Sequence, residues 1–185
     1  FLDQEVKSFN QNTEKEILEF LKDRMKNILR EKKIKPDIIE ASLSSHIGDG
    51  YYELYKKNLL ISKYINKEVG QNALSSYKRA FNIIEKEGKN IEGKPDAVLF
   101  RKKEEENLYK KINEIQKAFT VKEEDKNYED LLVNLSKIKP FTDNFFDNVV
   151  VNDENNDIKN NRLELLKMLC NTFNIFINFS KLEGF

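Results

Sequence analysis

Apolar side chains that return every three or four residues constrain this chain most, because that period fits the α-helix and not the strand. In "ALSSYKRAFNII" (residues 73–84), Ala73, Leu74, Tyr77, Ala80, Phe81 and Ile84 fall on one stripe, while Lys78, Arg79 and Asn82 point away from it. Strict alternation over more than four residues is hard to find. Only three prolines and six glycines interrupt 185 residues, so the expected fold class is all-α, a helical bundle.

The same period lays out the elements. Thr13 and Glu16 have the spacing of a capping box ahead of Ile17, Leu18, Phe20, Leu21, Met25, Ile28 and Leu29, a helix that ends around Arg30 to Lys35. Pro36, with its fixed φ, suits the first turn of a short helix through Leu43. After a turn at Gly48 and Gly50, helices are expected over 51–66 and 68–87, the second closed by Gly88. The Gly/Pro/Asn-rich connection 88–98 is a possible hinge within one domain spanning 1–185. Helices over 103–119 and 127–137 follow, then a short one opened by Pro140 that turns Phe145 and Phe146 inward. A long last helix runs from about Asp157 to Ser180. The chain begins with Phe rather than Met, which suggests a piece of a longer protein.

Charge limits the partners. Lys+Arg and Asp+Glu balance at 32 each, so there is no overall field to draw in a polyanion, and any such contact needs a local patch. Two such patches stand out: the Lys78, Arg79, Asn82 face, and the stretch from Lys22 to Lys35 with seven Lys/Arg against two acids. A solvated helix face reads the same way in sequence. No apolar run approaches the roughly 20 residues of a membrane span, and no membrane partner is expected.

Catalytic and metal motifs are missing. One histidine, His46, and one cysteine, Cys170, make neither a zinc cluster nor an activated nucleophile; a turn histidine and a small buried hydrophobe are the expected roles. Asp153, Asn155, Asp157 and Glu164 match positions 1, 3, 5 and 12 of a calcium loop, but position 6 is Ile158 where that loop needs glycine. Helix capping by Asp157 is the better reading, and no metal is expected. Arg24 and Arg162 each project onto the apolar side of their helix. A buried guanidinium needs a partner, so structural ion pairs with Asp143 and Asp147 are expected, with ligand contact as the alternative.

Taken in order, four stretches resemble the C-terminal region of the beta subunit of bacterial glycyl-tRNA synthetase. "FLKDRMKNILREK" is similar to that family's Phe-Leu-x-Asp-Arg-Leu segment, and "YKRAFNII" to its Phe-Lys-Arg-x-x-Asn-Ile helix. "FRKKEEENLY" resembles Leu-Phe-x-x-x-x-Glu-x-x-Leu-Tyr. Residues 140–166 resemble Pro-Val-Asp-x-Phe-Phe-Asp-x-Val-Met-Val, an acidic loop, then Arg-x-Asn-Arg-Leu-x-Leu-Leu. Thr142, Val150, Lys159 and Tyr77 depart from the pattern conservatively, although Lys159 loses the bidentate geometry of an arginine.

The resemblance implies an all-helical anticodon-binding domain similar to that of arginyl-tRNA synthetases, within a cytoplasmic enzyme of two alpha and two beta subunits. In that family the alpha subunit makes glycyl-adenylate from glycine and ATP with Mg2+, and the beta subunit is needed to bind and charge tRNA(Gly). This segment is then expected to hold no catalytic residue and no cofactor of its own. The expected tRNA contacts are Lys78, Arg79 and Asn82, with Lys159 and Arg162 as second choices. The alternative is a helical scaffold that joins subunits without touching the anticodon.

Overall fold

The computed structural model describes residues 11–45, 50–88, 90–120 and 127–182, and the described residues form helices, turns and connections with no strand. Helix α1 (Gln11–Glu31) is followed by α2 (Pro36–Leu43), α3 (Tyr51–Tyr64) and α4 (Glu68–Glu87). After the connection come α5 (Lys103–Phe119), α6 (Tyr128–Ser136), α7 (Lys139–Asn148) and α8 (Asn156–Asn174). Single 3-10 turns occupy Ala97–Leu99 and Phe179–Lys181.

Helices α4 and α8 pack along each other at the centre, with α6 and α7 against α4 and with α5 against α7 and α8. Tyr77 of α4 is the hub. Fully buried, it stacks on Phe81 at 5.4 Å and meets Phe173 and Phe179 at 5.7 and 5.5 Å between ring centroids. Where α3 turns into α4 the backbones come so close that a Cβ on Gly70 would overlap the Tyr64 carbonyl and the Ile65 Cα. Only glycine fits that corner.

Several expectations are corrected here. Thr13 lies inside α1 rather than capping it. The buried side of α1 carries Met25 and Leu29, against α2 and α3, while Ile17, Phe20, Leu21 and Ile28 are exposed. Arg24 shares that exposed side and lies over the Phe20 ring at 5.4 Å, so it is no buried ion pair. The sequence stripe was broad enough to face either way, and the neighbours selected the narrower 25/29 edge. The helix closes through Lys33, at φ 59°, with Lys33 N–H on Arg30 O and Ile34 N–H on Leu29 O: a Schellman ending with lysine where glycine is usual. His46 lies outside the described residues.

Helix α8 stops at Asn174, short of Ser180, yet Phe176, Ile177 and Phe179 are all buried. Asn174 Oδ1 accepts from the Phe179 N–H at 3.2 Å and Asn178 N–H donates to Ala41 O at 3.0 Å, so a turn replaces the last helical turns. The N-cap of α8 is Asn155, whose side chain accepts from Asp157 N and Ile158 N; Asp157 is a first-turn acid. Cys170 is buried as expected, and burial pushes its thiol up to about 12.

Candidate nucleic-acid interface

Arg162 and its surroundings settle what the joint before α8 does. Its guanidinium is 5% exposed and enters between α8 and the start of α5. Nε donates to Glu105 Oε1 at 2.9 Å, and Nη1 to Asp153 Oδ2 at 2.7 Å and Val150 O at 2.8 Å. Fully buried Glu105 uses its other oxygen on the N–H groups of Arg101 and Lys102, at 2.8 and 2.7 Å, which otherwise lack partners at a helix start. Backbone bonding at Asn155 together with Arg162 holds the Asp153 carboxyl below the usual range, so this acid of the loop is turned onto an arginine.

The partners expected for Arg162 are therefore wrong. Asp143 pairs with Lys139 one turn back on α7, and Asp147 lies 4.0 Å from Arg79. Spacing places Arg162 on a face of α8 but does not say which helix meets that face, and α5 does. A guanidinium enclosed by two carboxylates and a carbonyl is not open to phosphate, so Arg162 does not belong among the RNA-binding residues. Glu105 was missed, although it occupies the glutamate position of the Phe-x-x-x-x-Glu-x-x-Leu-Tyr motif.

On α4, Arg79 and Asn82 are exposed and Lys78 is half-buried. The Arg79 guanidinium lies 4.3 Å from the Phe146 centroid, and such stacking uses the face of the group rather than its N–H edge. Exposed Lys86, one turn beyond Asn82, extends the same stripe. Lys159 is half-buried and pairs with Glu87 at 3.0 Å, while Asn152 donates to Glu87 at 2.8 Å. Those two interactions hold the Glu87 carboxyl below its ordinary value and tie the end of α4 to the start of α8.

A second feature lies across the molecule's other seam. The 88–98 connection, offered by the sequence as a hinge, is pinned along α8: buried Asn161 exchanges two bonds with the Asp96 backbone at 2.6 and 3.0 Å, and Lys167 donates to Ile91 O. Gly93, at φ 151°, lies so close to Glu164 that a Cβ would collide with its carboxylate, which burial pushes up in pKa. Between this connection, α5 and α8 a cavity of about 370 Å³ opens, within the usual range for small-ligand sites of about 300–1,000 Å³. Lys94, Tyr109, Asn113, Gln116, Lys167 and Asn171 contribute to its wall. No single segment contains it, which is why it was not visible in sequence.

Comparisons with known proteins agree with this architecture. The chain is 37% identical over 170 residues to the glycine–tRNA ligase beta subunit of Sulfurihydrogenibium sp., which covers 91% of this chain and 24% of that protein. It is 34% identical over 179 residues to the beta subunit of Persephonella marina, covering 94% and 24%, and 29% identical over 167 residues to that of Clostridioides difficile, covering 90% and 24%. The chain thus spans about a quarter of the length of the curated relatives it matches. Residues 73–178, from α4 to the turn after α8, match the DALR anticodon binding domain, and the chain belongs to that family.

Proposed function

We propose that this domain binds tRNA(Gly) through its anticodon loop and thereby serves a glycine–tRNA ligase. The observation that carries the reading is the match to an anticodon binding domain over helices α4–α8, the same helices that hold the basic α4 face and the α5/α8 cavity. Arg79 and Lys78 meet loop phosphates and Asn82 meets a sugar or base edge, since unstacked loop bases expose groups that amides read. Lys86 binds a further phosphate, and Lys159 contributes from the α4–α8 junction. In the complete enzyme this domain belongs to a beta subunit that works in the cytoplasm with an alpha subunit, two of each. The alpha subunit supplies the adenylate from ATP with Mg2+.

A second role is favoured by one observation, the exposed Ile17, Phe20, Leu21 and Ile28 on α1. That face suits packing against protein, and it lies outside the residues of the family match. Scaffold and RNA roles then divide between the two ends of the chain.

The test is the salt dependence of tRNA affinity in the full-length protein. Lys78→Ala together with Arg79→Ala lowers affinity and flattens the slope of log K against log salt by about 0.7–0.9 for each phosphate that is no longer neutralised. An unchanged affinity and slope in this double variant removes α4 from the interface.

A further inference from the structure

We infer that the cavity between α5, α8 and the 91–95 segment receives one unstacked anticodon base, a cytosine, through the amide oxygens of Asn113 and Gln116. The inference rests on the anticodon reading proposed above and adds the site, the base and the groups that read it.

The hydrogen-bond network decides which amide atoms are available. Asn113 Nδ2 donates to Tyr109 O at 2.9 Å; a carbonyl only accepts, so the amide nitrogen must face it and Oδ1 is left as an acceptor. Gln116 Nε2 approaches Thr172 Oγ1 at 2.8 Å, and the Thr172 hydroxyl proton is already committed to Met168 O at 2.8 Å. Thr172 can then only accept, which fixes the Gln116 nitrogen and leaves Oε1 free to accept. Asn113 and Gln116 are three residues apart on α5, so both side chains leave the same face of the helix, and both line the cavity.

Two oriented acceptors select a ligand that presents an N–H2 group. Among bases that means cytosine, adenine or guanine, because uracil carries no amino group and offers an acceptor at the edge where cytosine offers its own. All glycine codons begin with two guanines, so the glycine anticodons share two cytosines, which selects cytosine. The remaining wall suits a nucleotide: the Tyr109 ring, braced edge-on by Phe100 at 5.5 Å, offers a stacking surface. Exposed Asn171 can donate to N3 or O2, and exposed Lys94 stands at the rim for the phosphate. The Asn161–Asp96 and Lys167–Ile91 bonds hold the 91–95 wall in place, so the cavity exists before the base arrives.

The experiment measures affinity of the full-length protein for the tRNA(Gly) transcript and for two transcripts in which each shared anticodon cytosine is replaced in turn by uracil. Wild-type protein is expected to lose about 10- to 100-fold for at least one replacement. Asn113→Ala breaks only a bond within its own helix turn and is the variant least exposed to misfolding; Gln116→Ala is the companion. Each is expected to shrink that ratio to about threefold or less while leaving the preference at the other cytosine intact. If wild type discriminates and both variants, folded by circular dichroism, keep the full ratio, the cavity is not the reader. If wild type does not discriminate, the anticodon reading itself falls and the base assignment falls with it.

Discussion

Replacing Arg162 by methionine isolates the interaction that joins α5, α8 and the 149–153 exit. The substitution keeps an apolar stem and removes the donors to Glu105, Val150 and Asp153. Glu105 is fully buried and keeps its two backbone donors on Oε2, but Oε1 is left without the arginine. Breaking one side of a buried pair costs about 3–5 kcal/mol, and the surviving N–H donors argue for the lower end, about 3 kcal/mol. For a chain of this length each kcal/mol moves Tm by about 2–4 °C, so Arg162→Met should lower it by about 6–12 °C. Glu105→Gln in the same background removes the stranded charge while its amide oxygen can still accept from the backbone. The double variant is expected to be more stable than the sum of the two single effects implies, by more than about 1 kcal/mol. Thermal and urea unfolding followed by far-UV circular dichroism reads both quantities. A Tm change under about 2 °C, or strict additivity of the pair, refutes the buried-pair account. Because Arg162 is enclosed, Arg162→Met should also leave the salt slope of tRNA binding unchanged below its melting temperature.

Other consequences follow from the same geometry. At pH 8 the buried Cys170 thiol, pushed up to about 12, should react with a disulfide reagent roughly 10³-fold more slowly in the folded chain than after denaturation; reaction at the free-thiol rate would contradict its burial. Lys33→Gly relieves the positive φ at the end of α1 and should stabilise by a few tenths to about 1 kcal/mol in urea titrations, whereas Gly70→Ala meets backbone at the α3–α4 corner and should destabilise. Asp153 and Glu87 have depressed pKa values, so their contributions are present above the ordinary carboxylate range and are lost as pH falls through their lower folded values. The share of Tm that these two carboxylates carry is therefore expected to be constant above the ordinary carboxylate range and to fall away as pH drops below about 4, and Asp153→Asn should soften that drop.

Much of the fold could be read along the chain because each helix carries its own period. The expected spans 103–119 and 68–87 coincide with α5 and α4, and Pro36 starts α2. The period misleads where burial continues without helix: Phe173, Phe176 and Ile177 keep helical spacing although α8 ends between them, because Asn174 and Asn178 redirect the chain by side-chain and backbone bonds. It also misleads at α1, where apolar residues surround too much of the helix for sequence to choose the buried edge.

The site divides along the same line. Lys78, Arg79 and Asn82 were visible because one helix carries all three, and a face of a helix is a local property. The Arg162 partners and the α5/α8 cavity were not, because each needs segments 57 and 56 residues apart to meet. The motif positions Glu105 and Asn161 offered a signal, but spacing alone gave no role to either: one compensates a buried arginine and the other fastens the 88–98 connection.

The central claim is that this domain recognises tRNA by its anticodon, and the most direct measurement is a binding titration of the full-length protein against tRNA(Gly) and the same tRNA with its whole anticodon exchanged. The account predicts a loss of affinity of about 10-fold or more on exchange at fixed salt. Equal affinity for the two RNAs would contradict it.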